Sequence, residues 1–195
     1  MATGVAQLST EGLSGVSLGS LAERVGMSKS GLFAHFRSKE DVQIQLLEHT
    51  ARLAHSCFVA PALAEPEGLP RLQAIAGHWF GWAQRAGLPG GCPVAAGLFE
   101  LDDVSGPVRD KLVALEAEGR GFMEEIVRQA VHLEHLRSDT DAVQFVWELC
   151  GIYLSHHVSC RFLHQPDADE RAQSAFDALV ARFLPIPSKT HSNDV

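Results

Sequence analysis

Two short helical patterns follow each other near the start of this 195-residue chain, and the short turn between them contains one glycine. Over residues 18–25, apolar residues recur three or four positions apart, which predicts an amphipathic helix. Ser17 is a good N-cap for this helix, and Gly26 can end it in a left-handed backbone conformation. Ser28 can cap a second short helix, in which apolar residues four positions apart form a buried face. The sequence therefore predicts a helix-turn-helix.

This segment is basic, although the chain as a whole is acidic. The formal net charge is −8, yet residues 24–39 contain no acidic residue and four basic ones: Arg24, Lys29, Arg37 and Lys39. A local positive face can hold a phosphate backbone, while an acidic body limits non-specific attachment to polyanions. Charge alone would also fit a solvated helix surface. Together with the helix spacing, it favours a surface that binds DNA, with the second helix in the major groove.

Residues 15–42 have the sequence GVSLGSLAERVGMSKSGLFAHFRSKEDV. This segment resembles the DNA-binding signature of the TetR (tetracycline-repressor-like) family of transcriptional regulators. The matching features are the Ser-Leu helix start, Ala22, the turn from Val25 to Ser28, the Leu32/Phe36 pair and the F-x-S-K-E segment from Phe36 to Glu40. The resemblance implies an all-α chain: a helix-turn-helix DNA-binding domain over residues 1–50, a helical ligand-binding and dimerisation domain over residues 51–186, and a flexible tail over residues 187–195.

The DNA contacts are expected around the turn and on the two helices that follow it. Lys29, Ser30 and His35 are candidates for contacts to bases or within the groove. Ser17 and Lys39 are candidates for phosphate contacts, because the amides at a helix start attract phosphate. The full predicted set is Ser17, Ser28, Lys29, Ser30, Gly31, Phe33, His35 and Lys39.

Two features depart from the family pattern. Only the segment MATGVAQLSTEG and two further residues precede the matching block, so the first helix is expected to begin midway, without a basic arm. Phe33 stands where the family often has a tyrosine, and a phenyl ring has no hydroxyl to donate to a phosphate.

The rest of the chain is predicted to be helical, without a convincing strand pattern. A long helix is expected from Lys39 to about Val59, followed by a loop from Pro61 to Pro70. Further helices are predicted at about residues 71–86, 93–101, 107–136, 141–163 and 169–184, with a possible break at Gly119 or Gly121.

Aromatic residues of the body are the candidates for a ligand cavity, because small-molecule pockets combine aromatic walls with a few polar groups. Each of them alone also fits an ordinary core position. The predicted set is Trp79, Trp82, Phe99, Phe122, Phe145, Trp147 and Tyr153, with His157 and Tyr153 as polar groups.

The last two predicted helices are the candidates for dimerisation. The helix over residues 141–163 is apolar nearly all round, which indicates burial on two faces. By resemblance, the two helices form a four-helix dimer interface; a monomer core is the alternative. The predicted residues are Ile152, His156, Ala175, Phe176, Leu179 and Phe183.

The cysteines and histidines give weaker signals. The four cysteines lack paired spacing, which predicts reduced thiols rather than a zinc site or disulfides. Cys92 precedes a helix, where a thiolate sensor is conceivable, although a small buried cysteine fits better. The pairs His156/Cys160 and His132/His135 each supply only two ligands. No metal or cofactor is therefore expected.

The sequence contains no motif of a known enzyme class, so catalysis is not expected. It also has no leader and no membrane-spanning run, which favours a cytoplasmic protein. The prediction is a ligand-responsive repressor that binds a palindromic double-stranded DNA operator as a homodimer and is released by a small apolar or aromatic effector. The alternative is a helical ligand-binding or interaction module whose DNA-binding head has decayed.

Overall fold

The computed structural model describes residues 1–186, and the regular structure within them is entirely helical. The predicted tail over residues 187–195 lies outside the described residues. The α-helices are α1 Ala2–Gly15, α2 Leu18–Val25, α3 Lys29–Phe33, α4 Lys39–Ala54, α5 Ala60–Leu63, α6 Leu69–Trp79, α7 Trp82–Arg85, α8 Pro93–Glu100, α9 Pro107–His132, α10 Ala142–Arg161 and α11 Ala168–Phe183. The predicted all-α class is confirmed.

The predicted helix caps are present in α2 and α3. The Ser17 hydroxyl accepts a hydrogen bond from the Ser20 amide, and the Ser20 hydroxyl accepts one from the Ser17 amide. Gly26 ends α2 with φ 67°, a left-handed conformation that glycine adopts without strain. Ser28 then caps α3 by accepting from the Gly31 amide at 3.0 Å. These caps fix the turn between the two short helices.

Helix α1 is kinked at Gly12, whose φ of 71° and ψ of −177° are not helical. The kink leaves backbone amides at Leu13 and Ser14 without the hydrogen bonds that a continuous helix would give them. Before the kink, Val5 and Leu8 are buried against the core of the head. Helix α1 packs on α2, α4 and α8, so it belongs to the head and also contacts the body.

The helical segment that begins with α4 continues beyond its predicted end at about Val59. A π-helical turn over His55–Val59 joins α4 to α5, and the Ala60 amide donates to the carbonyl of His55. Pro61, which has no N–H to donate, comes directly after this wider turn, and helical structure extends to Leu63. One almost continuous helical segment therefore runs from the head deep into the body.

Two other predicted boundaries differ in the structure. Helix α9 is unbroken through Gly119 and Gly121, because its packing against α4, α6 and α10 outweighs the weak helix propensity of glycine. The predicted helix over residues 71–86 is interrupted after Trp79, where Phe80 adopts an extended conformation. Trp82 starts α7 after this break, and its side chain turns into the core.

The body is built around α9 and α10. Its core includes Leu112 and Ile126 from α9, Phe145 and Leu149 from α10, and Phe176 from α11, all at most 2% exposed. Burying such a side chain stabilises the fold by about 1.5–3 kcal/mol. Over residues 1–186, no helix combines the length and apolar character that crossing a membrane requires.

Candidate DNA-binding head, ligand cavity and dimer face

The exposed surface of the head carries most of the predicted DNA contacts. Ser28, Ser30, His35 and Lys39 are exposed, and Gly31 is half-buried. Lys29 and Phe33 occupy the first and last positions of α3. Ser17 is half-buried and its hydroxyl takes part in the cap of α2. A DNA-binding role for this set remains a prediction.

Two charged contacts shape this surface. Arg24, one of the four basic residues, forms an ion pair with Glu11 of α1, so part of its charge is neutralised within the head. The Lys39 ammonium donates to the Ser14 carbonyl at 3.2 Å. Of the other basic residues of this segment, Lys29 is the first residue of α3, and Arg37 and Lys39 lie around the start of α4. The sequence did not predict the Glu11 contact, because the two residues lie on different helices.

The start of α4 is fixed by its own cap. Ser38 accepts from the Asp41 amide at 3.1 Å, and the Asp41 carboxylate accepts from the Arg37 amide at 2.8 Å. The hydrogen bond donated by the Arg37 backbone amide is the main reason that the pKa of Asp41 lies below its usual value. The carboxylate remains ionised and holds the turn that presents Arg37 and Lys39.

A cavity of about 380 Å³ lies in the body between α4, the π turn, α8, α9 and α10. Its aromatic wall is a group of stacked rings. The ring centroids of Trp79 and Tyr153 are 4.0 Å apart, and those of Phe58 and Trp79 are 5.9 Å apart. The Trp82 indole donates to the Tyr153 hydroxyl at 2.9 Å. A mostly apolar cavity with a few fixed polar groups is the usual form of a small-molecule site.

The structure divides the predicted ligand residues into two groups. Trp79, Trp82, Phe122 and Tyr153 line the cavity. The others lie elsewhere, which corrects their expected placement: Phe99 is 59% exposed on α8, Phe145 is in the core against Phe183, Trp147 is 66% exposed, and His157 lines a neighbouring cleft beside Gly91. The cause on α10 is rotational: at about 100° per residue, Phe145, Trp147 and His157 lie roughly 80°, 120° and 40° around the helix axis from Tyr153, which faces the cavity.

Sequence reasoning missed several lining residues. Phe58 comes from the π turn, and Thr50, Ala51 and Ala54 come from α4. Arg120 and Glu116 supply charge on the α9 side, where the Arg120 guanidinium donates to the Glu116 carboxylate at 3.1 Å. The amphipathic pattern of α4 indicated only a buried face, without indicating that part of this face borders a cavity.

The cavity thiols are protonated near neutral pH. The Cys92 sulfur caps α8 as predicted, accepting from the Ala95 amide at 3.5 Å, but burial dominates and raises the pKa of the Cys92 thiol. Burial likewise raises the pKa of Cys150 to about 11, and that of the Tyr153 hydroxyl well above its ordinary value. Cys92 is buried, and this burial disfavours a thiolate at this position.

A groove runs along the outer face of α10 and α11. We call it the α10–α11 groove, and it is lined by Trp147, Glu148, Gly151, Ile152, Ser155, His156, Ser159, Ala168, Arg171, Ala172, Ala175, Ala178, Leu179 and Arg182. Exposed apolar side chains also lie on the same helix at Val143 and Val158, and the exposed Phe162 directly follows its last residue. Large exposed apolar faces of this kind mark interaction surfaces.

Four of the six predicted dimer residues line the α10–α11 groove: Ile152, His156, Ala175 and Leu179. The placement of the other two is corrected, because Phe176 is fully buried in the protomer core and Phe183 packs on Phe145 at 5.5 Å between ring centroids. These two rings lie on the inner side of α11, which the apolar pattern could not distinguish from its outer side.

The kink in α1 is held by the body. The Glu100 carboxylate at the end of α8 accepts hydrogen bonds from the amides of Leu13 at 2.7 Å and Ser14 at 2.5 Å. The Gln43 side chain donates to the Leu13 carbonyl at 2.6 Å. Because α8 also lines the cavity through Ala95 and Leu98, this contact joins the cavity wall to the head.

The folded chain thus has the parts of one class of protein: an all-α protein with a helix-turn-helix head on a helical body that encloses a cavity. A family model described as "Bacterial regulatory proteins, tetR family" matches residues 1–46, and one described as "Tetracyclin repressor-like, C-terminal domain" matches residues 68–176. The chain therefore belongs to the TetR family of transcriptional regulators, which confirms the predicted resemblance.

Solved structures show the same fold along nearly the whole chain. A TetR transcriptional regulator from Chloroflexus aurantiacus J-10-FL is 20% identical with a TM-score of 0.84, over 94% of this chain and 92% of that one. A putative regulator from Saccharomonospora viridis, in complex with choline, is 15% identical with a TM-score of 0.78, over 95% of both chains. AibR, in complex with isovaleryl coenzyme A and operator DNA, is 22% identical with a TM-score of 0.69, over 94% of this chain and 95% of that one. No curated protein matches this chain in sequence.

Proposed function

We propose that the protein is a repressor that binds a palindromic operator as a homodimer and releases it when a small, largely apolar or aromatic molecule enters the cavity. Residues 1–50 form the DNA-binding domain in this proposal, and residues 51–186 form the ligand-binding and dimerisation domain. A protein that binds operator DNA in a bacterial cell acts in the cytoplasm.

The observation that carries this proposal is the course of α4. Its first turn holds Lys39 in the head, and its later turns place Thr50 and Ala54 in the cavity wall. A molecule that displaces the cavity wall would therefore also move the start of α4 and the neighbouring α3, the recognition helix that is expected to enter the major groove. The Glu100 contact gives the body a second connection to the head, through the kink in α1.

The ligand chemistry follows from the cavity itself. Its walls offer the stacked rings of Phe58, Trp79 and Tyr153, while Arg120 and Glu116 provide charge on one side. The relatives with bound molecules hold different ones, choline in one case and isovaleryl coenzyme A in the other. They support a ligand in this fold without indicating which ligand this chain binds.

The direct test of the proposal is operator binding with and without effector. The purified protein should shift a DNA fragment that carries its own upstream region, protect a symmetric site, and lose affinity steeply as salt rises. A protein that protects no symmetric site on that fragment would contradict the proposal and support the alternative of a decayed head.

A ligand in the cavity should change the fluorescence of Trp79 and Trp82, two of the three tryptophans of the chain. Trp147→Phe removes the exposed third tryptophan, so a change that persists in this variant comes from the cavity. Ligands found in this way should reduce operator affinity roughly 5- to 150-fold, the usual range of allosteric coupling. Cavity binders that leave operator affinity unchanged would contradict an effector role.

Lys39→Ala should weaken binding to operator and to scrambled DNA alike, because a phosphate contact carries no sequence information. The slope of log affinity against log salt should fall by about one. Lys29→Ala should weaken the operator more than scrambled DNA if it contacts a base edge. Titrations of both DNAs at two salt concentrations separate these effects.

The matched control is Lys111→Ala, because Lys111 lies on α9 and pairs with Glu48 at 2.7 Å, away from the recognition helix. Its salt slope should equal that of the unmodified protein. A loss in Lys39→Ala that is confined to the operator would show that Lys39 contacts bases instead.

A further inference from the structure

Three potential metal ligands converge where the end of α10 meets the start of α11. The His156 Nε2 atom lies 2.5 Å from the Asp169 Oδ1 atom and 3.3 Å from the Cys160 sulfur. The Cys160 sulfur lies 3.9 Å from the same Asp169 oxygen. The sequence indicated only the His156/Cys160 pair, because Asp169 is on another helix.

One of these distances matches a tetrahedral zinc site, and the other two would match after a movement of the exposed Asp169 side chain. Zinc binds imidazole nitrogen at about 2.0–2.1 Å, carboxylate oxygen at about 2.0–2.2 Å and thiolate at about 2.3 Å. Neighbouring ligands of a tetrahedral ion at these bond lengths are about 3.3–3.6 Å apart. Only the His156–Cys160 separation already has this value. Asp169 would have to move away from the His156 nitrogen by roughly 0.9 Å and toward the Cys160 sulfur by roughly 0.3 Å to complete the set.

The burial of the three groups allows both support and access. His156 is 6% exposed, so its ring is held by the protein, whereas the Asp169 side chain is 62% exposed and can adjust. Cys160 and His156 line a cleft together with His157, Arg161 and His164. Three protein ligands leave the fourth tetrahedral position open to water or to another donor.

Two guanidinium groups near the site bond to backbone carbonyls, and that of Arg161 donates to the Thr10 carbonyl at 3.3 Å. Arg85 approaches the same region, since it and Asp169 both lie close to Gly81. Its guanidinium, however, donates to the carbonyl of Phe80 at 2.8 Å and to that of His78. The Asp169 Oδ1 atom faces His156 and Cys160 instead.

We propose that His156, Cys160 and Asp169 bind one divalent transition-metal ion of the zinc type. A simple His–Asp hydrogen bond would account for two of the residues, but it requires no thiol beside the imidazole. A set of nitrogen, sulfur and oxygen donors suits Zn²⁺ and Co²⁺ better than Mg²⁺ or Ca²⁺, which prefer oxygen alone. This site is separate from the aromatic cavity and goes beyond the proposed repressor function.

Cobalt titration tests the site directly, because a thiolate bound to Co²⁺ gives a charge-transfer band in the near ultraviolet. The full-length protein is first treated with a chelator under reducing conditions. Added Co²⁺ should then give this band with one ion per chain, and Zn²⁺ should abolish it by displacement. An absent band, or one that saturates far from one ion per chain, would overturn the proposal.

Two variants and a matched control assign the ligands. Cys160→Ser should remove the band, and Asp169→Asn, which alters an exposed side chain, should weaken Co²⁺ binding by at least the roughly 10- to 100-fold that changes around a metal site cost. Cys57→Ser, at a half-buried cysteine in the π turn, should keep both the band and the affinity. A band that persists in Cys160→Ser, or unchanged affinity in Asp169→Asn when circular dichroism shows a native fold, would overturn the assignment.

Discussion

Trp147→Glu is expected to convert the proposed dimer to a monomer and to weaken operator binding by about 10²- to 10⁴-fold. Trp147 is 66% exposed in the α10–α11 groove, and the exposed apolar residues Val143 and Val158 of α10, with Phe162 just after it, add to the apolar surface. In a two-fold symmetric interface each substitution occurs twice, so two carboxylates would be buried without partners. A monomer binds one half-site at a time and loses the gain in affinity that comes from linking two binding sites.

Light scattering and analytical ultracentrifugation measure the change in mass, and a fluorescence titration measures operator affinity. The matched control is Val113→Glu, which places the same charge at an exposed apolar residue of α9, outside the groove. It should remain dimeric and bind the operator normally. A Trp147→Glu protein that stays dimeric, or an unmodified protein that is monomeric at micromolar concentration, would contradict the α10–α11 interface.

The features that could be predicted from the sequence are those set by neighbouring residues. Ser17, Gly26 and Ser28 act on hydrogen bonds within three or four positions of themselves, so the caps and the turn of the head follow from local chemistry. The same local rules located the starts of the body helices to within a few residues. They failed at Pro61, where a π turn lets the helix continue.

The direction in which a side chain points was harder to predict where a helix is apolar on several sides. On α10, Phe145, Trp147 and Tyr153 are all aromatic, yet they lie in the core, on the outer groove and in the cavity wall, respectively. A hydrophobic pattern distinguishes buried from exposed faces, but such a helix offers no polar face for orientation. Only packing against α9 and α11 determines which side each ring occupies.

Contacts between distant residues could not be predicted from one sequence. Asp169 completes the cluster with His156 and Cys160 only because α11 returns alongside α10. Glu100 reaches the amides of Leu13 and Ser14 across 87 and 86 positions of the chain. Nothing in the spacing of these residues indicates that they meet.

Glu100→Gln is expected to loosen the kinked end of α1 and to uncouple the head from the cavity wall. The Glu100 carboxylate accepts from two amides, whereas glutamine offers one oxygen and turns an N–H toward the second amide. A hydrogen bond to a charged group contributes about 1.5–3 kcal/mol, and the Ser14 contact is exposed, so we expect a total loss of about 1.5–3 kcal/mol. For a chain of this size, this lowers the melting temperature by roughly 3–12 °C.

Hydrogen exchange locates the effect of Glu100→Gln. The amides of Leu13 and Ser14 should exchange faster than in the unmodified protein, while the core of α10, around Phe145 and Leu149, should keep its protection. Asp103→Asn is the matched control, because it removes an exposed carboxylate from the turn that follows α8 and should leave both exchange and melting temperature unchanged.

Once a cavity ligand is identified, Glu100→Gln should bind this ligand normally. The ligand should lose most of its effect on operator affinity in this variant, because the connection from α8 to α1 is weakened while the cavity wall is intact. Faster exchange at Leu13 together with an undiminished ligand effect would show that α4 alone transmits the signal, and unchanged exchange would show that Glu100 does not hold the kink in solution.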